Sequence, residues 1–409
     1  MEKKLDMRTR KSILQAFKSD YQQADRKTKS QILDQYVHQT GHNRKYVIAQ
    51  LGTKTLLHRS NGNHKKRKPF FSETIIEHLK KLWEIFDGSC GQRLRPQIHN
   101  ELDRLIGFGE ITLTDEERQK LLTISAVTID RRLKDHKKQN QKKFHCITPK
   151  GKHLKSQIPQ RLTWSTPDVG HVEIDLVAHN GGNPYGDYIC TLSVTDVATQ
   201  WWEGQAIKGK SAPIVKQALL AIKSRLPFPL IGVDSDNGPE FINALLLKYC
   251  QDNGIEFTRG RPHHKNDNAY VEQKNWTHVR KLMGNHRFDV EAELIILNHL
   301  YVKELALYKN FFQVNYKLES KEWIHNKRKR HYEALPQTPY QRVLVSPLIS
   351  DEQKQKLKAL YESLNPADLK RRIDKTLQIL FTANQKKTDL RSFVNQIRQI
   401  PQRKEVKTG

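Results

Sequence analysis

The sequence Gly-Val-Asp-Ser-Asp-Asn-Gly-Pro-Glu-Phe occupies residues 232–241 and decides the expected fold. A short apolar stretch leads into it, and the Asn-Gly pair inside it is a strong turn signal. The residues that follow predict a helix at 241–250, a strand at 255–257 and a polar loop at 259–268. Strand, helix and strand in alternation predict an α/β arrangement in this part of the chain.

Three acidic residues stand out around this stretch. Asp175 interrupts an otherwise apolar strand at residues 172–177, where an unpaired carboxylate is costly and calls for a metal or a basic partner. Asp236 lies in the Asn-Gly turn, where an aspartate also serves to bond the backbone, and Asp234 is its rival. Glu272 follows Asp236 after an interval of 35 residues, in the first turn of a predicted helix, a position where carboxylates are also common for local reasons.

Carboxylates on two strands and one helix form an oxygen-rich set of the kind that magnesium requires. Mg²⁺ prefers oxygen ligands, keeps several waters and completes its shell with substrate phosphates. Two such ions roughly 4 Å apart stabilise both the attacking and the leaving oxygen in displacement at phosphorus. The hypothesis is therefore metal-dependent phosphoryl transfer.

The charge of the chain indicates the substrate. Its 71 Lys and Arg residues against 44 Asp and Glu residues give a net charge of +27, which favours nucleic acid through phosphate neutralisation. Neither a bilayer-spanning apolar run nor a signal peptide is evident. The four cysteines lie far apart without zinc or disulfide spacing, so a reduced cytoplasmic, nucleoid-associated protein is expected.

These motifs resemble the catalytic core of the DDE transposase and retroviral integrase superfamily. The resemblance rests on Asp175, on Ser-Asp-Asn-Gly-x-Glu-Phe at 235–241 and on Val-Glu-x-x-Asn at 271–275, and it covers about residues 165–285. It implies a ribonuclease H-like fold in which Asp175, Asp236 and Glu272 are both catalytic and metal-binding. It also implies two Mg²⁺ ions in each active site, with Mn²⁺ as a possible substitute.

The whole chain is predicted to combine α-helical and α/β domains. Helix-turn-helix modules precede the ribonuclease H-like core, a mixed sheet with helices, and a basic, mostly helical region follows it. No run of β-branched strands is evident in that last region, whereas retroviral integrases end in a small β-barrel. The predicted boundaries are a helix-turn-helix module at 1–62, a second helical DNA-binding module at 63–140, a basic linker at 141–164, the core at 165–288 and the C-terminal region at 289–409.

The two helical modules carry candidate DNA contacts. Asn43, Arg44 and Lys45 begin a basic helix after a glycine turn, where a recognition helix reads bases. Arg131 and Arg132 lie in a second helix with the same character. The alternatives are a basic helical bundle and an ordinary amphipathic helix, neither of which contacts a DNA groove.

Further DNA contacts are predicted around Glu272. Asn275 lies one helical turn later and can face the same site. His264 and Lys265, in the preceding loop, are placed to contact DNA near the reacting phosphate; a zinc site is unlikely there because no second ligand pair accompanies the histidines. Lys274 and Arg280 are expected on the exposed side of the helix, where a merely solvated face is the alternative.

Together these features predict a transposase of a bacterial mobile element. The resemblance implies that it binds transposon ends and target DNA as double strands, cuts and joins strands without a covalent protein–DNA intermediate, and acts as a homo-oligomer. The competing hypotheses are a DNA-binding regulator with an inactive core, a structure-specific nuclease such as a junction resolvase, and, least favoured, a ribonuclease. The sequence does not specify the terminal repeat or the target preference.

Overall fold

The structure is a computed structural model, and the protein is described from five segments of it. These are residues 7–52, 70–139, 168–260, 269–324 and 327–398. The chain forms two compact units, Met1–Phe70 and Phe71–Gly409, which are described separately. Within the described segments, no helix has the length and apolar character needed to cross a bilayer.

The first unit contains three helices: α1 (Met7–Gln23), α2 (Arg26–Thr40) and α3 (Arg44–Gly52). Gly41 ends α2 in the left-handed conformation, with φ of 67°, and its N–H donates to the carbonyl of Val37 at 2.8 Å. A small apolar core is formed by Tyr21, Leu33, Tyr36, Val47 and Leu51. A short glycine turn therefore joins two packed helices, as expected.

The second unit begins with helices at residues 73–139. They are α4 (Glu73–Ile85), α5 (Gly91–Gly107), α6 (Asp115–Thr123), α7 (Ala126–Arg132) and α8 (Lys134–Gln139). Thr114 and Glu117 form a reciprocal capping box at the start of α6. A β-carbon added at Gly91 would meet the carbonyl oxygen of Ala126 at 2.1 Å, so α5 and α7 pack closely only because this residue is glycine.

A mixed five-stranded sheet with helices follows. Its strands are β1 (His171–Ala178), β2 (Ile189–Asp196), β3 (Trp202–Lys208), β4 (Gly232–Ser235) and β5 (Glu256–Arg259), arranged in the order β3-β2-β1-β4-β5. The first three strands are antiparallel, while β4 and β5 run parallel to β1. Helices α9 (Ala212–Lys223) and α10 (Ala244–Asp252) supply the crossovers.

Residues of β1 alternate between two environments. Val172 and Ile174 pack in the apolar core that includes side chains from α9 and α10. Glu173 and Asp175 belong to the alternate set and bond to the segment that starts at Ala269. This segment comprises α11 (Ala269–Lys274), a π-helical stretch (Asn275–Arg280) and α12 (Lys281–Met283).

The C-terminal region is mostly helical, as predicted, but it also contains a hairpin. After α13 (Glu291–Leu300), a second π-helical stretch (Tyr301–Leu305) and α14 (Ala306–Phe312) come β6 (Leu318–Ile324) and β7 (Lys327–Tyr332). Helices α15 (Pro339–Val345), α16 (Asp351–Ser363) and α17 (Pro366–Arg398) follow. The sequence predicts a mostly helical region without a run of β-branched strands. The hairpin was not predicted, because its strands carry many charged residues and few β-branched ones.

The helices at residues 73–139 do not form a compact unit of their own. Arg104 of α5 donates to the carbonyl of Tyr361 at 2.9 Å, and the hydroxyl of Tyr361 donates to Glu101 at 2.5 Å. Gln97 donates to the carbonyl of Phe312 at 3.0 Å. These bonds, together with a shared apolar core, join the helices to the C-terminal region.

Candidate active site

The parallel pairing of β1 and β4 positions two of the predicted acids. The last paired residues are Ile174 and Ser235, so Asp175 and Asp236 are the next residues on two adjacent strands. Asp234 lies two residues earlier, fully buried, and accepts a hydrogen bond of 2.6 Å from the hydroxyl of Thr258. The structure therefore gives Asp234 a partner within the sheet, while Asp236 comes at the end of its strand.

Asp175 lies in a strongly negative environment. Burial and, after it, the negative charges of Asp236, Glu272 and Glu240 together raise the pKa of its carboxyl group to about 7, against the N–H of Leu176, which lowers it. A charged group shifts the pKa of a neighbouring carboxyl group in this way only when the two groups lie close together. The charges of Asp236 and Glu272 therefore act on Asp175, and Asp236 directly follows the strand paired with β1.

Asn275 completes the surroundings of Asp175. Its side-chain nitrogen donates to Oδ2 of Asp175 at 2.7 Å, and the backbone N–H of Leu176 donates to Oδ1 at 2.8 Å. The Oδ1 atom of Asn275 is buried and has no hydrogen-bond partner among the described residues. A buried acceptor of this kind is costly unless a water, a cation or a ligand group satisfies it.

Two further acids at this site carried no role in the sequence interpretation. Glu240 follows Asp236 by four residues within the motif at 235–241. Its place in that motif was a sequence signal that could have identified it as part of the site. Glu173 is fully buried, and its Oε2 accepts hydrogen bonds from the backbone N–H groups of Tyr270 at 2.9 Å and Val271 at 3.0 Å. Those partners are remote in sequence, so no local pattern indicated that Glu173 caps the helix that carries Glu272.

The donor set fits magnesium. The acids supply carboxylate oxygens, and the unsatisfied Oδ1 of Asn275 lies beside one of them. Within the described residues, no three His, Cys, Asp or Glu side chains converge on a single point as ligands of one ion. In phosphoryl-transfer sites Mg²⁺ is bound by only one or two carboxylates and obtains its other ligands from water and phosphate. Two carboxylates for each ion are therefore enough.

The expectation that Lys274 lies on an exposed helix face is wrong. Its side chain is buried, its Nζ lies 3.5 Å from Oε1 of Gln200, and burial lowers the pKa of its amine to about 7. Arg280 is half-buried, and its charge helps to lower the pKa of the buried His179. Lys274 comes one helical turn after the buried Val271 and directly before the buried Asn275, so its spacing places it on the packed face of the helix.

The remaining predicted DNA contacts have varied surroundings. Asn43 accepts from the backbone N–H of Lys45 at 2.9 Å and so caps α3, while Lys45 itself is exposed. Arg44 pairs with Asp34 and donates to Ser30, which turns it toward α2.

On α7, Arg131 is exposed and Arg132 is half-buried. His264 and Lys265 lie outside the described residues, as does the predicted linker at 141–164.

Comparison with solved structures returns retroviral integrase catalytic cores. The catalytic core domain of BIV integrase is 20% identical and aligns over 28% of this chain and 68% of that chain, with a TM-score of 0.23. The HTLV-2 integrase catalytic core domain in complex with magnesium, in its dimeric form, is 18% identical over 36% of this chain and 91% of that chain, with a TM-score of 0.27. No protein-family model matches the chain.

Comparison with curated proteins identifies a relative that spans most of both chains. It is "Uncharacterized protein y4rM" of Sinorhizobium fredii (strain NBRC 101917 / NGR234), which is 35% identical over 326 residues. The alignment covers 79% of this chain and 92% of the relative, so it includes far more than the sheet. The chain therefore belongs to the protein family that includes y4rM of Sinorhizobium fredii.

Proposed function

We propose that this protein is a transposase of a mobile DNA element that cuts and joins DNA strands at the site formed by Asp175, Asp236 and Glu272. The observation that carries the proposal is the electrostatic coupling of these acids: the charges of Asp236 and Glu272 raise the pKa of Asp175. Acids gathered in this way are costly for stability, and such arrangements cluster at functional sites. The overall charge of +27 supports DNA as the substrate.

In this proposal the three carboxylates hold two Mg²⁺ ions, with Mn²⁺ as a possible substitute. When bound, the ions stabilise negative charge on the phosphate oxygens during in-line displacement. Asn275 holds the carboxylate of Asp175 in a fixed orientation through its 2.7 Å hydrogen bond. Glu173 fixes the start of the helix that carries Glu272.

The reaction needs no nucleophile from the protein. Water attacks a phosphorus atom at the transposon end, the P–O3′ bond breaks, and the products are a free 3′ hydroxyl and a 5′ phosphate. That hydroxyl then attacks a phosphorus atom of target DNA, so one phosphodiester bond replaces another. The residues of this chain orient the phosphate and the metal-binding oxygens throughout.

Recognition of the transposon ends is assigned to the helical segments. In the first unit, Gly41 joins α2 and α3, and the exposed residues Lys45, Tyr46 and Ala49 lie along α3. This combination supports a helix-turn-helix contact in the major groove. In the second unit, the exposed Arg131 supports a contact from α7. Because two transposon ends must be brought together, the active species is a homo-oligomer on DNA.

The test is a strand-cleavage assay on labelled duplexes from the DNA that flanks the coding sequence, with Mg²⁺ present. Wild type is compared with Glu272→Gln, which keeps the shape of the side chain and removes its charge. Glu291→Gln is the matched control, because Glu291 is also an exposed acid in the first turn of a helix. The expected result is cleavage and joining by wild type and Glu291→Gln, with binding but no cleavage by Glu272→Gln.

Other outcomes separate the alternatives. Specific binding without cleavage by any variant would favour a regulator with an inactive core. Cleavage of random or branched DNA without joining would favour a structure-specific nuclease. If Glu272→Gln cuts as fast as wild type, Glu272 is not part of the site and the assignment is wrong.

A further inference from the structure

The hairpin of β6 and β7 contains a concentrated run of positive charge that the proposed active site does not use. Strand β7 reads Lys-Arg-Lys-Arg-His-Tyr over Lys327–Tyr332. The two strands form a separate two-stranded sheet, distinct from the five-stranded core sheet. Isolated two-stranded hairpins are marginally stable in water, so this one depends on its anchor and on what it binds.

Cationic residues lie on both faces of the hairpin. Successive residues of a strand point to opposite faces, so Lys329 and Arg330, which are both exposed, face in opposite directions. Lys329 is opposite Glu322 in the register, but Oε2 of Glu322 lies 3.2 Å from Nε2 of His331. Arg330 is opposite Lys321, a pairing of like charges that destabilises a bare hairpin.

Neither cation has an ion pair in the part of the chain that the structure describes. No carboxylate there lies within ion-pair distance of Lys329 or Arg330, and Glu322 lies close to His331 instead. Positive charge on both faces is accommodated best by a polyanion that meets both faces. Duplex DNA offers this, since each groove is bounded by two phosphate backbones.

The base of the hairpin is firmly anchored. The backbone groups of Lys317 and Glu333 pair there, with the N–H of Glu333 donating to the carbonyl of Lys317 at 3.0 Å. The buried Arg342 binds Glu333 and donates to Oδ1 of Asn315 at 2.7 Å. Lys317 also reaches across to the turn between β2 and β3, donating to the carbonyl of Ala198 at 2.8 Å.

The same turn contacts the helix that carries Glu272. Gln200, two residues after Ala198, lies 3.5 Å from Nζ of Lys274, which is two residues beyond Glu272 in the chain. The turn is itself held by Asp196, whose Oδ2 accepts from the N–H of Thr199 at 2.7 Å. A chain of direct contacts therefore fixes the hairpin relative to the proposed active site.

We propose that the hairpin inserts into a groove of duplex DNA, with Lys329 and Arg330 contacting the phosphates of opposite strands. The major groove is about 12 Å wide and admits a two-stranded β-ribbon. The contact is to the backbone and independent of sequence, so the hairpin orients DNA with respect to the active site rather than selecting the transposon end. This inference rests on the proposed function only in taking DNA as the substrate.

The test measures binding to a 30-base-pair duplex of unrelated sequence by fluorescence anisotropy between 50 and 200 mM NaCl, without Mg²⁺. The variants are Lys329→Ala, Arg330→Ala and the double substitution in the full chain. The control is Lys356→Ala with Lys358→Ala, which removes the same charge from exposed positions on α16. Melting curves confirm that each variant is folded.

Each single variant is expected to reduce the salt slope of log affinity by about 0.9, and the double variant by about twice that. When the NaCl concentration rises from 50 to 200 mM, the affinity of wild type is therefore expected to fall by a factor roughly threefold larger than the factor for each single variant. Slopes equal to that of the control would overturn the proposal. A change in only one of the two single variants would also overturn it, because a hairpin lying flat on DNA uses one face.

Two further results would distinguish the failure of this inference from the failure of the proposed function. If wild type does not bind duplex DNA at all, both are wrong. If wild type binds and the hairpin variants match the control, only the hairpin assignment is wrong. If the variants lose affinity for single-stranded RNA of equal length but not for the duplex, the partner of the hairpin is RNA and the proposal fails.

Discussion

The side-chain amide of Asn275 donates a hydrogen bond to Oδ2 of Asp175 across 2.7 Å, joining two residues that are 100 positions apart in the chain. This bond engages one oxygen of a carboxylate that is proposed to bind metal, and it fixes the orientation of that carboxylate. Partners of metal-binding carboxylates orient them and tune their affinity. The bond therefore connects the first strand of the sheet directly to the helix that carries Glu272.

Replacing Asn275 is expected to weaken metal binding without unfolding the protein. Asn275→Ala removes the donor, so the Mg²⁺ concentration for half-maximal cleavage should rise and the cleavage rate should fall, each on the order of 10–100-fold. Thr277→Val, two residues later, is the control, since its hydroxyl bonds only to Gln273 and His278. Equal Mg²⁺ dependence in the two variants would show that the bond does not position Asp175.

Glu173 is expected to act on catalysis through the helix that it caps. Glu173→Ala leaves the N–H groups of Tyr270 and Val271 without this acceptor and should lower the free energy of unfolding by roughly 2–4 kcal/mol. Glu173→Gln retains an acceptor oxygen and should cost about 1 kcal/mol. Urea unfolding measures both changes.

The Gln variant separates positioning from stability. Because Glu272 is less firmly held, Glu173→Gln should need more Mg²⁺ for half-maximal cleavage and should show a smaller rise in melting temperature on addition of Mg²⁺. Its affinity for duplex DNA in the absence of metal should match that of wild type. A loss of DNA affinity with unchanged Mg²⁺ dependence would contradict this role.

Glu203 provides a pH dependence of stability away from the active site. Burial raises the pKa of its carboxyl group to about 6, although Arg225 and Trp201 oppose the shift. The folded state therefore binds more protons than the unfolded state between about pH 4.5 and pH 6. The free energy of unfolding should fall by about 2 kcal/mol as the pH rises through this window.

Substitution of Glu203 should remove that slope. Glu203→Gln is expected to have a stability close to that of wild type at low pH, where Glu203 is already protonated and neutral, and a flatter profile from pH 4.5 to pH 6. Glu77→Gln, at an exposed position on α4, serves as the control. Urea unfolding at a series of pH values tests this, and an unchanged slope in Glu203→Gln would assign the dependence to other groups.

Two glycines of α5 offer a matched test of helix packing. Gly91→Ala places a β-carbon 2.1 Å from the carbonyl oxygen of Ala126 and should destabilise the protein by a few kcal/mol, on the order of 2–4. Gly107→Ala meets nothing within 4 Å and should stabilise by about 0.5–1 kcal/mol. Similar unfolding midpoints for the two variants would mean that α5 and α7 do not pack as described.

The sheet and its acidic residues could be predicted from the sequence because the patterns that indicate them each lie within a short stretch of chain. An apolar strand interrupted by Asp175 and an Asn-Gly turn after Asp236 each occupy a few residues. The five-stranded sheet confirms the expectation of a mixed sheet with helices. The roles of Asp175, Asp236 and Glu272, the domain boundaries and the DNA contacts remain predictions.

What the sequence did not reveal depends on long-range contacts. The partners of Glu173 and Asn275 lie about a hundred residues away, so no window around either residue contains the reason for its position. Lys274 was expected at the surface because lysines are seldom buried, although its spacing from Val271 and Asn275 places it on the packed face of the helix. The hairpin was missed because β7 consists of charged residues, which a search for β-branched strands passes over.

The bonds between α5 and Tyr361 have a consequence for synthesis on the ribosome. Arg104 and its acceptor at Tyr361 are 257 residues apart. At a translation rate of about 5–20 residues per second, roughly 13–51 seconds pass between the appearance of one partner and the other. For that interval the part of α5 that packs on the C-terminal region has no partner, so its final position is set only late in synthesis.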